Sequence, residues 1–250
     1  MPRERNPRCK VYLSASDSKA AWLAALLLGG APAAMVGAAM FSATMFSCQP
    51  GHSQNAAANP SVQLPAVPPR ELRSPDAFGV YSERAERSRA LFSEAARVML
   101  HPRCANCHPS GDTPLQREGG LHDPPVQRGA EDRGVVGMEC TSCHQDQNLE
   151  LARVPGAPKW HLAPRSMAWV GRSPDSICEQ IKDPARNGGK TLAQIVDHSQ
   201  HDALVAWGWA PGVEREPAPG SQAQFGALVA AWVESGAECP PPSAAPSEVR

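Results

Sequence analysis

The chain has 250 residues, and its 24 lysines and arginines nearly balance its 25 aspartates and glutamates, for a formal net charge of -1 at pH 7. This balance excludes the basic face that nucleic-acid binding requires, and it gives no strong electrostatic preference for any partner. Aromatic residues are only 5% of the chain, yet six of the thirteen are tryptophan, and five of these lie in the last hundred residues.

The first 48 residues are typical of an export signal. Five basic residues lie within the first 19, and residues 20–46 then carry no charge. This pattern predicts a secretion signal. The uncharged run is also long enough to span a bilayer as a retained anchor, although its glycines and Pro32 weaken a regular helix.

Cys48 closes the uncharged run and follows Met45-Phe46-Ser47. The arrangement resembles a bacterial lipoprotein box, in which the cysteine is lipidated and becomes the N-terminus after cleavage. A plain signal peptide and an uncleaved anchor with an incidental cysteine are the alternatives. All three predict that residues 76–240 lie outside the cytoplasm, on the periplasmic side of a bacterial membrane.

The composition of the predicted exported part indicates a tether, one domain and a short tail. Residues 49–75 contain six prolines among Ala, Asn, Gln and Ser. Such a stretch cannot bury enough apolar surface to offset its ordering entropy, so we expect a disordered tether. Residues 76–240 have the length of one domain, and the Pro-, Ser- and Ala-rich stretch at 241–250 predicts a disordered tail.

Apolar residues at helical spacing predict four helices in this domain. They cover residues 77–100, the stretch from Pro174 to Pro184, a helix from the capping box Thr191/Gln194 through about Trp207, and a helix from Ser221/Gln224 to a left-handed cap at Gly236. No alternating strand pattern of useful length is present. The predicted fold class is therefore mainly α with extensive irregular loops.

The domain contains two copies of the pentad Cys-x-x-Cys-His. They are formed by Cys104, Cys107 and His108 and by Cys140, Cys143 and His144. Two thiols one helical turn apart can add across the two vinyl groups of a porphyrin, and the imidazole that follows can reach the iron beneath the ring. The pentads therefore predict two covalently attached c-type haems, with His108 and His144 as proximal iron ligands.

A zinc site is the alternative, because two Cys-x-x-Cys knuckles can form a tetrahedral thiolate cage. The segment at 108–139 is longer than the usual zinc-ribbon spacing, and zinc gives no reason for a histidine directly after both pairs. A thioredoxin-like redox pair would lie at a strand-to-helix turn in an alternating pattern, whereas the surroundings here are rich in Pro, Gly and Arg.

The spacing of the pentads predicts one module. Only 36 positions separate Cys104 from Cys140. A compact single-haem domain needs roughly twice that length to enclose the ring on both faces, so the haems should share one cytochrome c-like module and form much of its core. Ring edges within about 10 Å would allow fast electron exchange. Core packing and the wrapping of porphyrins explain the late tryptophans equally well.

The distal iron ligands are left open by the sequence. The candidates are His101, His122, His161, His198, His201, Met99, Met138 and Met167. We favour His122, in a loop that could hold it over the first ring, Met167, whose thioether would raise the potential of its haem, and His198 on the capped helix. The alternatives are a solvated His122, a Met167 that fills the core, and a His198 bonded to Asp197 or Asp202.

Cys178 and Cys239 are the cysteines that remain once the pentads, Cys48 and the leader's Cys9 are accounted for. In an oxidising compartment such a pair predicts a disulfide, which would tie the C-terminal end of the domain to the start of its last third. Two unpaired buried cysteines are the alternative.

Taken with the export signal, the pentads resemble those of the exported dihaem c-type cytochromes. More narrowly, the runs at 160–169, 187–189, 207–212 and 236–240 resemble segments of small bacterial proteins described as subunits of isoquinoline 1-oxidoreductase-type molybdenum hydroxylases. The resemblance covers about residues 90–240. It implies a cytochrome that carries electrons away from a separate catalytic subunit.

The leading hypothesis is a periplasmic electron-transfer protein that relays electrons from a dehydrogenase or hydroxylase to a respiratory acceptor through two six-coordinate irons. One alternative is a haem enzyme such as a dihaem peroxidase, in which one iron keeps an open site. Peroxidases of that kind are longer chains with widely separated motifs. A zinc-stapled structural lipoprotein is the other alternative, and it requires the haem assignment to fail.

Overall fold

A computed structural model of the chain describes residues 62–242. The predicted export signal, the lipidation of Cys48, the first part of the tether at 49–61 and the tail from residue 243 onward lie outside the described residues. Within 62–242, no helix has both the length and the apolar composition needed to cross a membrane.

Helices dominate the regular structure of the described residues. The α-helices are α1 (Arg84–Met99), α2 (Pro102–Ala105), α3 (Cys140–Cys143), α4 (Pro174–Lys182), α5 (Leu192–His201), α6 (Ala203–Ala206) and α7 (Gln222–Glu234). Shorter 3₁₀ helices are formed by Pro75–Val80, Glu150–Ala152 and Trp207–Trp209. Two antiparallel hairpins pair β1 (Leu115–Gln116) with β2 (Gly120–Leu121) and β3 (Gly134–Val135) with β4 (Met138–Glu139). The predicted mainly α class with long irregular loops is confirmed.

In the helical core α1 packs against α7 and α4, and α5 also packs against α7. Helix α1 buries Leu91, Phe92, Ala95 and Val98 completely, and these residues follow the spacing of one helix face. The ring of Phe92 meets that of Trp232 on α7 at a centroid distance of 4.9 Å. Aromatic pairs at this distance add to the stability that their burial provides.

Two of the predicted helix starts are confirmed by their caps. Thr191 and Gln194 form the reciprocal capping box of α5, and the Ser221 hydroxyl accepts a hydrogen bond from the Gln224 amide at the start of α7. Gly236 follows α7 with a positive φ of 113°, as the predicted left-handed cap requires.

The prediction of one helix from Thr191 through about Trp207 is wrong at Asp202. This residue has extended backbone angles, and its carboxylate accepts hydrogen bonds from the Leu204 and Val205 amides, so it ends α5 and caps α6. A hydrogen bond from the side chain of His198, followed by other contributions, lowers the pKa of Asp202 to about 2. The helical pattern at 77–100 is likewise divided, with α1 beginning at Arg84.

The segment at 62–75 packs against α1. Leu72 is buried in the core cluster, and the buried carboxylate of Glu94 accepts hydrogen bonds from the side chains of Arg73 and Arg97 at 2.6 Å each. Arg97 also donates to the carbonyl oxygen of Glu71. The sequence indicated a folded part that starts at about residue 76, and the structure extends the packed chain to residues before it. The reason is that a buried carboxylate requires cationic partners, and one of them lies in this segment.

The predicted disulfide is confirmed. Cys178 on α4 is bonded to Cys239, which follows α7, with an S–S distance of 2.01 Å. The alternative of two unpaired cysteines is therefore wrong. The bond closes a loop between residues 61 positions apart and fixes the end of the domain to α4, whose Cys178 is fully buried.

Removing this disulfide is expected to destabilise the domain. The variant Cys178→Ala/Cys239→Ala should lose about 4 kcal/mol of unfolding free energy, because the unfolded chain regains the entropy of an open loop of this length. Urea denaturation of the purified protein measures the loss. Reductant should lower the unfolding free energy of the unaltered protein to that of the variant and should not change that of the variant. Free thiols at both positions in the native protein would contradict the bond.

Candidate functional site

The cysteines of each pentad lie one turn apart on a short helical segment. In the first pentad the Cys107 amide donates to the Cys104 carbonyl at 3.1 Å, and in the second the His144 amide donates to the Cys140 carbonyl at 2.9 Å. All four thiols are free. The spacing in the sequence therefore places the two cysteines of each pentad one turn apart, with an imidazole directly after them.

Each of the two pentad histidines makes a hydrogen bond from Nδ1 to a backbone carbonyl. Nδ1 of His108 lies 2.7 Å from the carbonyl oxygen of Met167, and Nδ1 of His144 lies 2.7 Å from that of Pro155. A carbonyl oxygen can only accept, so each Nδ1 carries the hydrogen and each Nε2 keeps its lone pair free. Histidines that bind metals are held in this way, because the bond sets the tautomer and the direction of the ring.

A tryptophan covers one face of each of these imidazoles. The rings of His108 and Trp169 are stacked with centroids 3.4 Å apart, and those of His144 and Trp160 are stacked at 4.5 Å, with an angle of 7° in both pairs. Each imidazole is thus fixed at one nitrogen and on one face. Sequence reasoning noted the late tryptophans but did not assign either to a histidine, because no short-range signal links residues this far apart.

The segment at 160–169 contacts both pentads. Trp160 stacks on His144, the Ala163 amide donates to the Cys107 carbonyl at 3.1 Å, and the Trp169 amide donates to the His108 carbonyl at 2.9 Å. Arg128 is buried and holds the segment by donating to the Ala163 carbonyl at 2.8 Å. The pentads are therefore joined through one stretch of ten residues.

Asn148 organises the loop around the second pentad. Its side-chain oxygen accepts hydrogen bonds from the Gly156 amide and from the indole N–H of Trp207, each at 3.0 Å, and its side-chain nitrogen donates to the Ala210 carbonyl. Trp207 in turn meets Trp160 edge to face at 5.1 Å. The role of Asn148 was not predicted from the sequence, since a single Asn in a loop gives no specific signal.

Burial sets the protonation of the site. It lowers the pKa of His108 to about 3 and also lowers the pKa of His144, so both imidazoles are neutral near pH 7, which is the form that binds a metal. Burial raises the pKa of Cys104 to about 12 and that of Cys107 to about 11, and the nearby thiol of Cys140 contributes to the second of these values.

Three buried N–H groups beside the first pentad have no hydrogen-bond partner. They are Nε of Arg103, Nε of Arg128 and the indole nitrogen of Trp169. Arg103 directly precedes Cys104, Trp169 stacks on His108, and the charge of Arg128 contributes to the lowered pKa of His108. Unpaired buried donors are costly and call for an acceptor. The carboxylates of a haem would supply acceptors, so the residues fit this group.

The favoured distal candidates have different surroundings. The ring of His122 lies 5.9 Å from that of His144, beside the second pentad rather than the first. Met167 is buried in the core cluster, and its carbonyl is bonded to Nδ1 of His108. Nδ1 of His198 lies 3.2 Å from a carboxylate oxygen of Asp202, and the charge of His198 contributes to the lowered pKa of His108. Their role as iron ligands stays a prediction.

The zinc alternative requires several ligands gathered around one point. Within residues 62–242 no group of three or more His, Cys, Asp or Glu side chains is arranged to hold a metal ion. A haem is attached by two thiols and its iron is bound by axial side chains, and each pentad has two thiols and one imidazole.

Comparison with known proteins does not assign the chain to a family. No family model, no curated protein and no solved structure matches it. The function must therefore be argued from the two pentads and the residues around them.

Gly156 is required by the loop that holds His144. A Cβ at this position would lie 2.2 Å from the Gln147 carbonyl oxygen and 2.4 Å from that of Gln145. Because backbone would have to move, we expect Gly156→Ala to lower the free energy of unfolding by about 1–3 kcal/mol, measured by urea denaturation followed by circular dichroism. The matched control is Gly111→Ala, where the added carbon meets nothing within 4 Å. Equal stability of the two variants would contradict the close approach.

Proposed function

We propose that this protein is an exported electron carrier with two covalently attached haems, one at Cys104 and Cys107 and one at Cys140 and Cys143. The observation that carries the proposal is the repeated environment of the two pentad histidines, each with Nδ1 bonded to a carbonyl, one face covered by tryptophan and Nε2 free. A repeat of this kind is expected if both rings perform the same task, the binding of iron.

The residues of the chain have distinct tasks in this proposal. His108 and His144 would each bind an iron through Nε2, and the carbonyl bonds and stacked indoles fix the direction of those nitrogens. Arg103, Arg128 and Trp169 offer their unpaired N–H groups to the anionic edge of the first haem. Each haem, when bound, supplies an iron that exchanges one electron.

A relay also requires that the two haems be close. Two observations support a single cytochrome c-like module whose core the haems would complete: the contacts of segment 160–169 with both pentads and the short chain between the pentads. The proposed partners are a donor dehydrogenase or hydroxylase and a respiratory acceptor on the periplasmic side of a bacterial membrane. Anchoring through Cys48 or the N-terminal segment would keep the carrier near that membrane.

Two haems per chain are the first expected result. Protein exported from a host with cytochrome c maturation should give two haems in a pyridine haemochrome assay after acid-acetone extraction, because thioether bonds survive that treatment. Cys107→Ser and Cys143→Ser should each weaken attachment at one site only and leave the other haem attached. One haem or none in the unaltered protein would overturn the assignment, and bound zinc in its place would favour the structural alternative.

The number of ligands on each iron distinguishes an electron carrier from a haem enzyme. In a carrier both irons should be low-spin in the ferric and ferrous states, with two of His122, Met167 and His198 as distal ligands, as read by optical and electron paramagnetic resonance spectra. A high-spin iron with peroxide turnover of about 10 s⁻¹ or more would favour the peroxidase alternative.

We expect His198 rather than Met167 at the first iron, because the Met167 carbonyl already bonds to the Nδ1 edge of His108. His198→Ala should then make one iron high-spin. A sulfur-to-iron charge-transfer band in the near infrared that disappears in Met167→Ala would show the opposite assignment.

A further inference from the structure

We propose that His122 and His144 bind the same iron atom, that of the second haem, with one imidazole on each side of the porphyrin. This assignment rests on the proposed function, since it requires a haem attached at Cys140 and Cys143. It differs from the expectation drawn from the sequence, in which His122 would lie over the first haem. Four observations on the residues around the second pentad support it.

The first observation is the separation of the two imidazoles. Their ring centroids lie 5.9 Å apart, and the ring planes are inclined by 67°. A metal–imidazole bond is about 2 Å long and the centre of an imidazole lies about 1 Å behind its nitrogen, so two imidazoles on opposite sides of one metal have centres about 6 Å apart. The inclination fits because each ring can rotate about its own metal–nitrogen bond. The separation therefore matches the width that one iron requires.

The second observation is the tautomer of both rings. Nδ1 of His122 lies 2.8 Å from the Pro124 carbonyl oxygen, just as Nδ1 of His144 lies 2.7 Å from that of Pro155. Both rings therefore donate from Nδ1 and keep the Nε2 lone pair for a metal. His101 provides a contrast, because its Nδ1 accepts a hydrogen bond from the Arg103 amide, so its hydrogen lies on Nε2.

The third observation is that both sides of the proposed site follow a hairpin. His122 comes directly after β2, and its amide donates to the Pro114 carbonyl at 3.2 Å. Cys140 comes directly after β4, and its amide donates to the Arg133 carbonyl at 2.8 Å. The two hairpins thus fix the backbone on which the distal histidine and the attachment cysteine are carried, which is what a preorganised ligand pair needs.

The fourth observation is a set of exposed apolar side chains on these same segments. Leu121 precedes His122 and is 72% exposed, Val136 lies at the tip of the second hairpin and is 98% exposed, and Met138 and Leu149 are 40% and 45% exposed. Single exposed apolar residues are ordinary, but here they accompany the ligand and attachment residues in the chain. A porphyrin attached at Cys140 and Cys143 would offer these side chains an apolar surface to pack against.

The test compares His122→Ala, His144→Ala and the double variant His122→Ala/His144→Ala in the full-length protein. If the two residues share one iron, each single variant loses one of the two low-spin haems, and the double variant still keeps one low-spin haem per chain. If they belong to different irons, the double variant keeps none. Electron paramagnetic resonance of the ferric protein counts the low-spin irons, and carbon monoxide binding to the reduced protein counts the open ones.

The design remains decisive even if His144→Ala prevents attachment at the second site, because the readout is the spin state of the haem at the first pentad. A low-spin first haem in the double variant supports the assignment, and a high-spin first haem overturns it. His201→Ala is the matched control, since His201 is an exposed histidine paired with Asp197, and it should keep two low-spin haems. Two low-spin haems in His122→Ala would overturn this assignment but leave the proposed carrier intact, whereas a protein without covalent haem would overturn both.

Discussion

The orientation of the two pentad imidazoles is the constraint on which the site depends. An imidazole one residue after a thiol can turn freely unless something outside the pentad holds it. In this chain a carbonyl oxygen bonds to Nδ1 and an indole covers one face, at both pentads. Because these partners come from residues 155–169, the loop after the second pentad also orients the imidazole of the first.

The loop in turn depends on the helical scaffold. Segment 160–169 carries buried Met167 and Trp169 into the core cluster that α1, α4 and α7 build, so the carbonyl that holds His108 comes from a residue anchored by hydrophobic packing. The disulfide joins α4 to the end of the domain, and Cys178 is itself part of this core cluster. Within the described residues the core is therefore mainly helical, and the loop that positions the pentad histidines packs into it through Met167 and Trp169.

The two pentads have different surroundings, although both histidines make the same carbonyl bond and stack on a tryptophan. The first lies beside buried Arg103 and Arg128, which form ion pairs with Glu118 and Asp132 and whose Nε groups make no hydrogen bond. The second is more open, with exposed Cys143 and exposed apolar side chains on the neighbouring hairpins. In an electron carrier such a difference in burial would give the two haems unequal potentials, because potential depends on solvent exposure and nearby charge.

The pentads, the helix caps and the mainly α class could be identified from the sequence alone, because each depends on residue types at short spacing. The disulfide could be predicted because Cys178 and Cys239 were the cysteines left after the others had been assigned. Asp202 escaped that reasoning, since its side chain competes with the helix for backbone amides. Only the tertiary structure decided that Met167 contributes its carbonyl to His108, that Trp160 and Trp169 stack on the pentad histidines, and that His122 lies beside His144. Those contacts join residues that loops bring together, and the course of a loop is set by packing against the whole core rather than by any short pattern.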